Sequence, residues 1–449
     1  MSSETLNTAG AFSQAKDLRN RILFTILLLI VYRLGTYVPL SGIDPLALKE
    51  IMASSQKGLL GMFNMFSGGA VTRMAIFALG IMPYISASIV VQLMGIGIPY
   101  LQKLQKEGES GRKTINQITR WLTIGICIVQ APAYLFGLSA LGVPDSAFII
   151  GRGPIFMISS VTILVTGCVF AMWLGEKITD KGIGNGISLL IMVGIIASLP
   201  VSFVQEFVSR VTENNGGPML ILIELILWVI IILLSVLLVM AVRQIPVQYA
   251  RRTSVNSGER NVFGSRQYIP LKLNASGVMP IIFAQAIMFV PASVGSLFGD
   301  SNFGQWMQSS FSDIFGLWYN ILFALLIIIF TFFYTAITIP TNKMSDDLKR
   351  SGGFIPGVRP GKETSEFLDT VMSHITFPGS LYLAALAVFP AVVVKLIGMQ
   401  QGWALFYGGT SLLIMVGVAI DTIQQVNSYL LNRHYDGLMK SESKRRSTI

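Results

Sequence analysis

The chain has 449 residues, 52% of them hydrophobic and only 12% charged, with a mean hydropathy of +0.64 and a formal net charge of +10. That charged fraction is about half of what a soluble domain carries, so the composition describes an integral membrane protein and excludes a soluble one. Repeated apolar runs of about 20 residues match helices crossing a ~30 Å hydrocarbon core, and exclude a β-barrel, whose strands alternate polar and apolar over short stretches.

Residues 1–21 form a polar tail that contains Glu4 and Asp17, lacks a small-residue cleavage motif, and reads as neither a signal peptide nor a transit peptide. Ten spans follow: Ile22–Val38, Met74–Met94, Trp121–Leu138, Ile155–Leu174, Ile183–Leu199, Met219–Val242, Ala275–Phe298, Leu317–Thr338, Ile375–Ile397 and Leu405–Val426. Between the first two, Leu59–Phe66 is apolar yet too short to cross a bilayer. Ser67-Gly68-Gly69 interrupts it, Arg73 follows, and the second span carries Pro83 in its middle. Non-helical backbone at membrane depth survives only where protein or a water-filled cavity covers it, which predicts a cavity here.

Lys and Arg set the orientation. With the N-terminus inside, 26 of the 33 fall on the cytoplasmic side and 6 on the other, with Arg33 inside the first span, so both termini are expected to be cytoplasmic. Two cytoplasmic segments exceed what connection requires: 243–272, with six basic residues, and 340–371, with five and the turn-rich string GGFIPGVRPG. They read either as positive-inside anchors or as docking loops for an acidic protein surface or RNA phosphates. The polar string TENNGGP suggests two halves, 22–210 and 211–430, followed by a cytoplasmic tail 431–449, with a pathway between the halves.

Residues for covalent chemistry are scarce. The two histidines, His374 and His434, belong to no HExxH string, and Cys127 and Cys168 lie in apolar runs without metal-ligand spacing. Gly108-Glu109-Ser110-Gly111 resembles the GxSG of intramembrane serine proteases but lies in a charged loop with no histidine nearby in sequence. No nucleotide-binding loop is present. The spans hold little charge, Glu224 and Asp421 lying toward span ends, which disfavours a secondary transporter of small solutes and points to a passive conduit. No metal or cofactor is expected.

The strings MFNMFSGGA, FALGIMPYISASI, KEGESGR, MWLGEKITDKGIGNGIS, IPLK, GFIPGVRPG and GGTSLLI resemble, in order and spacing, the bacterial SecY family of protein-conducting channels, from about Arg21 to Gly437. The resemblance implies an all-α polytopic fold in the bacterial inner membrane: ten transmembrane helices in two inverted five-helix halves around a central pore with a plug. The implied function is a channel that passes unfolded secretory proteins across the membrane and releases apolar segments sideways into it. The plug maps onto Leu59, Leu60, Gly61, Met62, Phe63, Asn64, Met65, Phe66, Ser67, Gly68, Gly69 and Ala70. The pore ring maps onto Ile81, Ile85, Ile187, Ile191, Ile282 and Ile414. A lateral gate between spans two to three and seven to eight would carry Gln92, Gln130, Asn274 and Gln285, and these four also fit ordinary interhelical hydrogen bonding.

The i, i+4 spacing of Ile81 with Ile85, and of Ile187 with Ile191, puts each pair on one helix face. Branched apolar side chains around a constriction expel water, which blocks ions while yielding to a polypeptide of any sequence. By resemblance, the cytoplasmic loops would meet the ribosome and the SecA motor through Arg251, Arg252, Arg359 and Pro360. Glu259-Arg260 stands where relatives commonly carry an Arg-Arg pair. SecE and SecG subunits, preproteins with their signal sequences, membrane lipid, SecD/SecF and YidC complete the implied partners.

Overall fold

A computed structural model describes residues 16–44, 64–65, 67–140, 148, 151, 153–212, 217–249, 266–288 and 302–446. The chain forms two compact units, one comprising Met1–Glu213, Gln400–Trp403 and Val418–Ile449, the other Asn214–Met399 and Ala404–Gly417.

The first unit contains α1 (Lys16–Gly35), α2 (Met82–Gly97), α3 (Pro99–Lys106), α4 (Glu109–Ala140), α5 (Pro154–Lys181) and α6 (Gly186–Thr212). Packing is sequential, with α4 against α2, α3 and α5, α5 against α6, and α1 against both α5 and α6. Leu40, Met74, Ala78, Ala131, Leu135, Phe156 and Leu164 belong to one apolar cluster of this unit. The α5–α6 hairpin depends on a close backbone approach. A Cβ at Gly186 would overlap the Gly175 carbonyl oxygen, while Asn185 caps α6 by accepting from the amides of Ile187 and Ser188. Cys127 of α4 and Cys168 of α5 are both buried free thiols, consistent with a packing role.

The second unit contains α7 (Gly217–Met240), β1 (Val242–Tyr249), β2 (Arg266–Lys272), α8 (Met279–Ile287), α9 (Asn302–Ser312), α10 (Leu317–Thr338), α11 (Thr341–Arg350), β3 (Gly353–Phe354) and α12 (Lys362–Ile397). α13 (Gln401–Ala404) and α14 (Gly409–Arg446) follow. The strands form an antiparallel sheet in the order β2-β1-β3, with Val242 opposite Lys272, Ile245 opposite Ile269, and Gln248 opposite both Arg266 and Phe354. This sheet is an addition to the all-helical expectation. It unites the two long polar segments, whose apolar residues Ile245, Val247, Leu271, Leu348, Ile355, Leu368 and Met372 share one core. Pro246 and Pro270 obscured the strands in sequence, since proline lacks a ladder donor, and among the described residues β3 pairs with Gln248 and Tyr249, beyond Pro246.

Among the described residues seven helices are long and apolar enough to cross a membrane, or eight if α2 and α3, bent by 102°, count as one broken span. Of the ten expected spans, the first is α1, which carries Arg19, Arg21 and Arg33. The seventh, expected from Ala275, begins as a helix only at Met279, because residues 275–278 form turns; α8 covers Met279–Ile287, and 289–298 lie outside the described residues. The second corrects the reading of Met74–Met94. Residues 74–81 form turns, and the helix begins at Met82 with Pro83 in its first turn. Proline is accommodated there because the first N–H groups of a helix have no partner to lose. Similarly, Gly108-Glu109-Ser110-Gly111 is the α3–α4 turn and the first turn of α4 rather than a loop. Gly111 is set by close contact with the Leu104 carbonyl.

Candidate functional site

Ahead of α2, residues 67–81 of the first unit form turns rather than a helix. Gly68 and Gly69 adopt φ of +66° and +88°, which only glycine enters without strain, so Ser67-Gly68-Gly69 does interrupt the chain as its composition predicts. Asn64 organises the turn: its carbonyl accepts from the Gly69 amide at 2.7 Å, and its Oδ1 accepts from the Thr72 amide and hydroxyl, each at 3.0 Å. Farther on, the Leu40 amide donates to the Met74 carbonyl and the Ile76 amide to the Val38 carbonyl, fixing residues 74–76 beside the end of α1. Phe77 then stacks between Tyr32 of α1 and Phe170 of α5, with centroids 5.4 and 6.1 Å away.

Behind this segment lies the cavity predicted from the broken span. It measures about 230 Å³, and Ile81, Ile85 and Ile191 line it together with Tyr32, Ser67, Val71, Gln130 and Tyr134. Three of the six expected ring residues, one expected gate residue and one plug residue therefore surround a single, mainly apolar space. Ile81 is the N-cap of α2, and its carbonyl accepts the Ile85 amide at 3.1 Å, so the i, i+4 relation survives at the start of the helix rather than within it. Ile191 is buried on α6, while the half-buried Ile187, one turn earlier, sits against Gly175. In the second unit Ile282 is half-buried on α8, and Ile414 is buried on α14.

The remaining gate residues differ from one another. The Gln92 amide donates to Ser88 Oγ at 3.1 Å, one turn earlier on its own helix, rather than to a neighbouring helix. Asn274 is buried and accepts from Ser276 Oγ at 3.3 Å in its own turn, and Gln285 is buried on α8. Of the plug, Leu59–Phe63 and Phe66 lie outside the described residues, as do Arg251, Arg252, Glu259 and Arg260.

Arg359 and Pro360 are exposed at the tip of the loop between β3 and α12. Gly352, Gly357 and Gly361 all have positive φ, and the loop is clamped from both sides. Ser345 Oγ of α11 donates to the Gly361 carbonyl at 2.6 Å, and Thr364 Oγ1 of α12 donates to the Arg359 carbonyl at 2.8 Å. Thr341 Oγ1 to Asp369 and Ser365 Oγ to Asn342, at 2.7 and 2.6 Å, tie α11 to α12. The Arg359 guanidinium is exposed on this braced loop, and its Glu363 neighbour at 3.6 Å is too solvated to immobilise it.

Reading by composition missed Tyr32, Tyr37, Tyr134 and the bracing hydroxyls. It counted Arg33 without assigning it work, although a lone arginine within a span is itself a functional signal.

A family model described as SecY matches residues 75–423. The protein translocase subunit SecY of Streptomyces galbus is 39% identical over 447 residues, covering 96% of this chain and 99% of that protein. The corresponding subunit of Rickettsia conorii is 40% identical over 425 residues, covering 94% and 96%. Among solved structures, a protein conducting channel matches with a TM-score of 0.61 at 16% identity, covering 92% of this chain and 91% of that one. Sec61 in the canine ribosome-channel complex from the endoplasmic reticulum matches with a TM-score of 0.56 at 15% identity and the same coverages. At those identities the structural likeness concerns the fold, whereas the sequence relatives span nearly the whole chain, and the chain belongs to the SecY family.

Proposed function

We propose that the six isoleucines act as the constriction of a protein-conducting pore and that residues 59–70 act as its plug. Membership of the SecY family makes the chain a channel subunit for protein translocation, a multi-pass protein of the bacterial cytoplasmic membrane and not an enzyme. The observation that carries the residue-level reading is the apolar cavity where Ile81, Ile85 and Ile191 meet Ser67 and Val71. The isoleucine side chains offer water no hydrogen bonds, so a narrow passage between them dewets and resists ions. A translocating chain displaces the same side chains without breaking any specific bond. Gln92, Gln130, Asn274 and Gln285 are assigned to a lateral gate formed by spans two to three and seven to eight, where an apolar segment would compete with their hydrogen bonds, worth ~0.6–2 kcal/mol each.

The sheet, α11 and the Arg359 loop are proposed as the docking face for SecA and the ribosome, with SecE and SecG as companion subunits. The braced geometry of the loop supports this: a partner meets a preformed surface and orders little on binding. The pore reading is tested by replacing Ile85 and Ile191 together with serine and recording resting ion conductance in planar bilayers. A raised leak is expected. A seal as tight as that of the native channel would remove the ring assignment.

A further inference from the structure

The carbonyl of Gly68 accepts no backbone N–H among the described residues. Successive left-handed conformations at Gly68 and Gly69 turn it away from its own chain, and two guanidiniums converge on it. Arg33 Nη1, from the end of α1, donates to it at 2.5 Å, and Arg73 Nη1 at 3.5 Å. Tyr37 orients both. Arg33 Nη2 donates to its hydroxyl at 3.1 Å, and the Arg33 and Arg73 guanidinium carbons lie 4.9 and 4.1 Å from its ring centroid. No carboxylate pairs with either arginine among the described residues. Arg33 Nη1 also donates to Thr36 Oγ1 at 3.3 Å, so two like charges are held together by one carbonyl, two hydroxyls and one aromatic face.

Position 68 fits the contact closely. A Cβ there would approach Arg33 Nη1 to 2.6 Å and the Gly194 Cα of α6 to 3.1 Å, so glycine alone lets this carbonyl sit between α1 and α6. A second tether comes from α4, where the Tyr134 hydroxyl donates to the Val71 carbonyl at 3.0 Å. The segment is therefore gripped through its backbone by side chains from two spans.

We infer that Arg33, held by Tyr37 and Arg73, is a positioning residue that latches residues 67–73 in their seat and sets how readily that segment leaves it. The inference builds on the plug reading above. A charge-assisted hydrogen bond to a carbonyl is strong enough to hold a short turn-rich segment, and it grips backbone, so it is indifferent to the apolar side chains that face the cavity. With no carboxylate paired to it among the described residues, Arg33 can rebind the carbonyl when the segment returns.

The test uses the translocon complex containing the full chain, reconstituted in nanodiscs for amide exchange and in planar bilayers for conductance. The reporting amides are those of Val71, Thr72 and Arg73, which bond to Ser67 Oγ, Asn64 Oδ1 and the Gly69 carbonyl. Arg33→Gln is expected to accelerate their exchange by about tenfold or more, with exchange in α5 unchanged, and to raise resting conductance. Arg33→Lys, which keeps the charge but loses the two-pronged fork, should fall in between. Tyr134→Phe removes the second tether without touching Arg33 and should accelerate the same amides, which keeps the inference testable if Arg33→Gln assembles poorly. Exchange within twofold of native in Arg33→Lys and Arg33→Gln overturns the latch. Accelerated exchange with unchanged conductance supports the latch and instead removes the plug reading.

Discussion

Glu206 and Arg210, one turn apart on α6, form an ion pair at 2.8 Å with side chains only 3% and 5% exposed. The second carboxylate oxygen of Glu206 accepts the Gln400 amide at 2.9 Å, so the pair also secures a distant stretch of chain within the first unit. Removing one member of a buried pair leaves the other charge in a poor solvent, which costs far more than the pair itself contributes. Arg210→Met is expected to lower the unfolding free energy by about 3 kcal/mol. The Glu206→Gln, Arg210→Met double variant should recover most of that loss. Thermal unfolding of the purified complex in detergent measures both, and equal loss in single and double variants would show that charge is not the cause.

The α5–α6 hairpin predicts intolerance at one atom. Gly186→Ala drives a methyl group into the Gly175 carbonyl oxygen, and backbone cannot step aside as a flexible side chain can. A loss of about 1–3 kcal/mol is expected from the forced separation of the two helices. Gly97→Ala, where a Cβ meets nothing within 4 Å, is the control and should be nearly neutral in the same thermal assay.

The loop carrying Arg359 should loosen when its brace is removed. Ser345→Ala deletes the bond to the Gly361 carbonyl, worth about 1 kcal/mol, and should raise the rate of proteolytic nicking within 352–361 roughly fivefold. Cleavage elsewhere in the chain should be unaffected, since α11 remains tied to α12 through Thr341 and Asp369. An unchanged nicking rate would mean that the loop is held by its glycine and proline geometry alone.

Arg359→Glu should abolish SecA-driven preprotein uptake into vesicles while the complex still assembles. The side chain is exposed and makes only a weak surface pair with Glu363, so its loss removes nothing the fold needs. Because the new glutamate would also repel Glu363, Arg359→Gln is the cleaner variant and should reduce uptake without that repulsion. Normal uptake by both variants would exclude Arg359 from the docking face.

The sequence alone determined that this is a polytopic helical membrane protein. Hydrocarbon offers backbone groups no partner, so every long apolar run must satisfy its own hydrogen bonds as a helix, and α4, α5, α6, α7, α10, α12 and α14 each contain a run recognised in this way. The cavity was also legible, because Ser67-Gly68-Gly69 cannot continue a helix and broken backbone needs cover. Tertiary structure decided the rest. Whether Pro83 sits within a helix or starts one depends on how residues 74–76 pair with Val38 and Leu40, a contact with no local signature. The union of two polar segments into one sheet-based platform depends on Gln248 and Tyr249 pairing with Phe354 and Gly353 far along the chain, and the prolines of β1 and β2 disguise those strands. The grip of Arg33 on the Gly68 carbonyl joins residues 35 positions apart through a backbone atom, and side-chain periodicity carries no information about where a carbonyl will point.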